Sequence, residues 1–194
     1  MNDFETLSRI IRKRRAIYPE TYSDRKIDKQ LIQQILENAN WAPTHRKTEP
    51  WRFHVFTGQE LDRLSQYMQT HYQENTPAEE FSEYKLQKTR EKALQSSHVI
   101  AICMQRDPSG SLPQWEEEAA VACAVMNMWL SCAALGIGCY WSSPKSAMDA
   151  GKFLLLSPGQ RCLGWFYMGY PREGLVLNAT RGDLSSKVVW HEGS

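Results

Sequence analysis

Charge of one sign is missing from this chain of 194 residues: 23 lysines and arginines stand against 22 aspartates and glutamates. A protein that coats nucleic acid or an anionic membrane carries a larger basic excess. No uninterrupted apolar run reaches bilayer-spanning length, and Met1-Asn2-Asp3-Phe4-Glu5 lacks the basic-then-apolar pattern of an export signal. A cytoplasmic protein without a membrane partner is therefore expected. The five cysteines (Cys103, Cys123, Cys132, Cys139 and Cys162) are odd in number and widely spaced, with no Cys-x-x-Cys. That excludes a disulfide framework and a zinc site as expectations, and leaves the thiols as small hydrophobes. There is no P-loop, nucleophile elbow or Ser-His-Asp order. The pair Gly136 and Gly138 lacks the third glycine and following helix of a dinucleotide fingerprint. Glu116-Glu117-Glu118 has no histidine three or four residues on to complete a metal site, and the positive end of a helix dipole accounts for it.

What is present is enough for one core. A chain of this length makes a single domain over 1–194 the expectation. Asp3 is placed to cap a helix carrying Phe4, Leu7, Ile10 and Ile11, and Asp28 a second with Leu31, Ile32, Ile35, Leu36 and Ala39. Pro43 and Pro50 bracket a loop, and 51–57 alternates as a strand that Gly58 ends. A helix is expected over 59–72. The polar stretch 73–97 suggests an exposed helix or helix pair, a candidate lid. A buried strand over 98–104 follows.

From Trp115 to Leu135 apolar residues surround the helix on every side, so it must be buried on every side, with a second subunit as part of the cover. Gly136 caps it. A strand toward Trp141, a helix over 146–155 and a strand over 162–169 complete the core. The segment 171–194 is irregular but for Lys187-Val188-Val189-Trp190, and is expected to dock on the core or on a partner. These elements imply an α+β sandwich, a central sheet covered by helices.

Taken alone, Arg12-Lys13-Arg14-Arg15 reads as a solvated helix end, His45 as a loop histidine, and Arg181 as surface. Four segments in order change that reading. Arg14-Arg15-Ala16-Ile17 is followed by Trp41-Ala42-Pro43-Thr44-His45 running into Pro50-Trp51-Arg52-Phe53. Then come Gly136-Ile137-Gly138-Cys139-Tyr140-Trp141-Ser142-Ser143, and Leu163-Gly164-Trp165-Phe166-Tyr167-Met168-Gly169-Tyr170-Pro171. Together they resemble the nitroreductase family, in its small branch.

The resemblance implies a mostly antiparallel sheet in a homodimer, with FMN at the subunit interface and NADH or NADPH as co-substrate. It implies flavin contacts from Arg14, Arg15, Ala16, Trp41, His45, Trp141, Ser142, Ser143 and Arg181, with His45 reaching across from the partner. It implies nicotinamide nucleotide contacts from Ser131, Cys132, Ala133, Ala134, Leu135 and Gly136. No catalytic side chain is expected, since the flavin carries the redox step. Ala16 replaces the usual Ser, and Lys47 and Glu49 replace the usual Asn and Gln, leaving those polar contacts open. The activity implied is ping-pong transfer from NAD(P)H to a nitroaromatic, quinone or similar small-molecule acceptor. Other flavin chemistry on the same fold (dehalogenation, enone reduction, flavin breakdown) and a nucleic-acid module built on Arg9, Arg12, Lys13, Arg14 and Arg15 are the alternatives.

Overall fold

A computed structural model describes residues 2–193. Four strands, β1 (Trp51–Thr57), β2 (His98–Gln105), β3 (Gly138–Ser142) and β4 (Gln160–Gly169), form one antiparallel sheet in the order β1-β2-β4-β3. The two central strands are buried on both faces, which is why 98–104 is apolar without alternation.

Helices α2 (Lys29–Asn40) and α5 (Gln114–Leu135) cover one face through Ile32, Ile35, Val121, Val125 and Met128, packed on Ile100, Ile102 and Phe166. Helices α3 (Glu60–Asn75), α4 (Glu83–Leu94) and α6 (Lys145–Met148) lie on the other, with Leu64, Met68, Ala93 and Ala147 against Val99, Trp165 and Tyr167. The stretch 73–97 thus contributes one helix, α4, which buries Leu86 and Ala93 and is tied to α3 where Ser82 N donates to Tyr72 Oη at 3.1 Å.

Two local expectations need correction. Helix α1 (Asp3–Lys13) is capped by Asn2, not Asp3: Asn2 Oδ1 accepts from Glu5 N at 2.9 Å and Glu5 Oε2 from Asn2 N at 3.0 Å, a reciprocal box that needs Glu at the third position. The helix expected over 146–155 stops at Met148. Gly151 weakens its continuation, and the turns that replace it drop Leu154 into the core and stack Phe153 on Tyr67 at 4.2 Å between ring centroids.

Helix α5 is long and apolar enough to cross a membrane by length and composition. Its stripe of Ala120, Val121, Ala124, Val125, Met128 and Cys132 is instead buried in the core. The opposite stripe, Trp115, Ala119, Cys123 and Met126, is exposed. Helix α1 buries no residue at all; Phe4 is 77% exposed, Leu7 and Ile11 49% each. The chain by itself does not cover either helix.

Beyond β4 the chain is anchored by Arg172, whose N donates to Thr21 O at 2.9 Å and whose Nε donates to Tyr22 O at 3.1 Å. No residue from 171 to 193 is buried. Val189 and Trp190 stand almost fully exposed, so the far end does not dock on its own core.

Gly164 in β4 has φ +148°, and a Cβ there would meet the Trp141 indole and come within 2.5 Å of Ser142 O. We expect Gly164→Ala to lose about 1–3 kcal/mol of stability, read as a lower urea midpoint with an unchanged slope; an unchanged midpoint would mean the β3–β4 contact is slack.

Candidate functional site

The chain leaves α1 at Arg14, whose extended backbone (φ −56°, ψ 129°) ends the helix and turns the next residues along the sheet edge. Ile17 N donates to Cys139 O at 3.0 Å, fixing the segment to β3. Arg15 is held from the other side: its carbonyl accepts from Trp129 Nε1 of α5 at 3.0 Å. The Arg14 guanidinium carbon lies 4.8 Å from the Trp129 ring centroid, a cation–π contact. Arg181 comes back from the C-terminal segment to the same place. Burial first, then the Arg181 charge, lower the Arg14 pKa; the nearby Cys139 opposes this and Arg15 adds to it.

Three guanidiniums therefore converge, and among the described residues none has an ion-pair partner. Two adjoining cavities, of about 310 and 560 Å³, share Arg14 and Arg15. The first is walled by Trp129, Ala133, Ile137, Leu175 and Leu177, the second by Ile11, Met126, Leu130 and Arg181. Uncompensated guanidiniums beside apolar walls suit a ligand with an anionic head and a flat apolar body. A phosphate-bearing flavin has that form, so the donor set fits the expected cofactor. Arg14 and Arg15 are half-buried against α5, and Arg12 lines the second cavity with them.

The loop 41–50 lies elsewhere. Trp41 ends α2 and is 79% exposed. His45 Nδ1 and Glu116 Oε2 are 2.7 Å apart, near the start of α5. Arg46, Lys47 and Glu49 all have positive φ (53°, 55° and 43°), a concentration of backbone strain that ordinary loops do not carry. Glu116 and Trp129 are thirteen residues apart on α5, or about 20 Å at 1.5 Å per residue. Within one chain, then, His45 is not brought together with Arg14, Arg15 and Arg181, and Trp41 lines neither arginine cavity. Each carboxylate of the 116–118 run has its own partner: Glu117 meets Arg106 and accepts from Asp107 N, and Glu118 meets Arg161.

The remaining candidates divide. Trp141 packs against the α5-side core, its indole N–H buried without a partner. Ser142 lines a cavity on the other face, and Ser143 is exposed. Ala16 lies half-buried beside Arg15. Of 131–136, Ala133 and Gly136 line the arginine cavity, Ala134 and Leu135 are exposed, and Ser131 accepts from Asn38 Nδ2 at 2.9 Å. Cys132 is wholly buried in the core under α5. Trp129, Leu175 and Leu177 were not among the expected site residues. Trp129 looks in sequence like one more apolar residue of α5; only the fold turns it to the arginines.

The profile of the Nitroreductase family matches residues 11–170. The chain is 26% identical over 147 residues to YdjA of Escherichia coli, a candidate NAD(P)H nitroreductase, covering 74% of this chain and 77% of that one. It is 26% identical over 175 residues to YfhC of Bacillus subtilis, likewise a candidate NAD(P)H nitroreductase, covering 89% and 88%. In fold it is similar to a nitroreductase-like protein from Bacillus cereus, with a TM-score of 0.80 at 24% identity over the whole of both chains.

Like charges held together without a counter-ion destabilise the protein that holds them. We expect added inorganic phosphate to raise the thermal midpoint more than chloride at equal ionic strength, and the difference to shrink in Arg14→Ala. Equal responses in parent and variant would mean that the arginines do not form an anion site.

Proposed function

Because the chain belongs to the nitroreductase family, we propose that it is an FMN-dependent oxidoreductase drawing on NADH or NADPH and reducing a nitroaromatic, quinone or similar small acceptor. The observation that carries this reading is the convergence of Arg14, Arg15 and Arg181 without a carboxylate, beside the apolar walls of Trp129, Ala133 and Ile137. When bound, FMN supplies the centre that accepts and returns a hydride. The protein's part is to hold, orient and shield it. The three arginines take the phosphate dianion, and Trp129 keeps Arg14 and Arg15 in place from behind. Backbone N–H groups of Trp141, Ser142 and Ser143 are assigned to the ring edge. In this reading donor and acceptor use one face in turn, a ping-pong order.

Two copies complete the site. The exposed stripe of α5, the exposed face of α1 and the apolar end of the C-terminal segment form the surface that a second chain covers. A two-fold axis perpendicular to α5 runs the paired helices antiparallel. His45 of the partner subunit then arrives at the arginine end of this chain, with the partner's Trp41 on the same loop, covering the distance of about 20 Å that separates His45 from the arginines within one chain. The dimer therefore makes two equivalent sites, each from both chains.

The purified protein should be yellow and bleach with NADH or NADPH. Arg14→Ala should weaken FMN retention by about one to two decades, since a charge-assisted contact is worth roughly 1.5–3 kcal/mol; unchanged affinity would remove Arg14 from the site. Sedimentation at micromolar concentration should give twice the chain mass, and a monomer that keeps FMN would contradict the shared arrangement.

A further inference from the structure

A wide cavity, of about 970 Å³, opens between the start of α2, the end of β1 and the start of α3. Its strand wall is the sheet edge opposite β3, and it shares no lining residue with either arginine cavity or with the cavity that Ser142 lines. Apolar side chains make most of its surface: Ile27, Ile32 and Leu36 from one side, Val55, Leu61 and Leu94 from the other. The polar groups gather at one end, where Thr57 pairs with His98 across the sheet and Lys26 and Lys29 flank the Asp28 cap of α2.

His98 is only 6% exposed, yet one of its ring nitrogens is left over. Ile27 N donates to Ser97 Oγ at 2.8 Å, which leaves the hydroxyl proton for His98 Nδ1 at 3.0 Å. Burial, then the Lys26 charge, lower the His98 pKa and keep the ring neutral. Its one N–H is therefore on Nε2, on the cavity wall and without a partner among the described residues. A buried donor without an acceptor is costly until something supplies one. Among the described residues neither Lys26 nor Lys29 has an ion-pair partner. The one carboxylate on the wall, Asp62, stands in the first turn of α3, where the helix dipole accounts for it.

Two ammoniums and an imidazole N–H at the end of an apolar groove suit an anion with a long apolar body. Lys29 and Leu36 both line the groove and lie seven residues apart on α2, about 10 Å at 1.5 Å per residue. We propose that this cavity binds a medium-chain alkyl carboxylate, its carboxylate accepting from His98 Nε2 and facing Lys26 and Lys29, its chain lying on Ile32, Leu36 and Val55. The site stands apart from the flavin reading and does not rest on it.

Calorimetric titration of the intact protein with decanoate, decanol and acetate, all kept below micelle formation, tests it. Decanoate should saturate at one per chain, with decanol and acetate at least about tenfold weaker. Joint replacement Lys26→Met and Lys29→Met should weaken decanoate about tenfold, as should His98→Leu. Val55→Glu, on the exposed edge strand, should do the same by charging the chain's path, while Arg14→Ala leaves decanoate binding unchanged. Circular dichroism shows which variants are folded, and the lysine and Val55 variants, all at exposed positions, carry the test if His98→Leu is not. No saturation of the intact protein, decanol or acetate binding as tightly as decanoate, or a loss in Arg14→Ala without one in the lysine and Val55 variants would each overturn the proposal.

Discussion

Helix α5 is the constraint on which the rest depends. It is apolar on every side, yet its own chain covers one stripe and leaves Trp115, Ala119, Cys123 and Met126 to solvent. Burying one large apolar side chain contributes about 1.5–3 kcal/mol. Phe4, Leu7, Ile11 and Met126 alone therefore reach the order of the translational and rotational cost of association. The same helix sets the site's geography: Trp129 near its end steadies the arginines, and Glu116 near its start holds His45. In the proposed dimer, a long helix that serves both as core and as interface separates the two halves of a site within one chain and rejoins them between two.

The arginine cluster works against stability in the ligand-free chain and, under the proposed function, for affinity in the loaded one. Arg14 stays charged despite burial and two neighbouring cations, with the Trp129 ring as its nearest favourable contact. A structural ion network would have placed a carboxylate there, as the protein does at Arg106 with Glu117 and at Arg161 with Glu118. The difference between those paired arginines and the unpaired three supports the proposal that the latter are a binding device.

Much of the fold was legible because short-range chemistry agreed with the tertiary result. Strand 51–57 begins after Pro50 and ends at Gly58, and α2 starts at its Asp28 cap. The cap of α1 was misplaced by one residue because Asn2 and Asp3 are both good caps and only the reach of Glu5 decides between them. The end of α6 was missed because the packing of Phe153 and Leu154, not local propensity, sets it. In the site, Arg14, Arg15 and Arg181 could be named from the resemblance to a family, whereas Trp129, Leu175 and Leu177 could not. Their role comes from the path of the C-terminal segment past α5, a long-range placement that no local pattern encodes.

The central claim, a site built from opposite ends of α5 in two chains, is tested most directly by subunit exchange. Arg14→Ala and His45→Ala chains, each impaired alone, are mixed by mild unfolding and refolding, supplied with FMN and assayed for NADH-dependent acceptor reduction. Random pairing makes half of the dimers mixed, and each mixed dimer holds one doubly defective and one intact site, so roughly a quarter of all sites should recover. Confirmed mixed dimers with no activity above that of the single variants would place both residues in one chain's site, or outside it, and contradict the account.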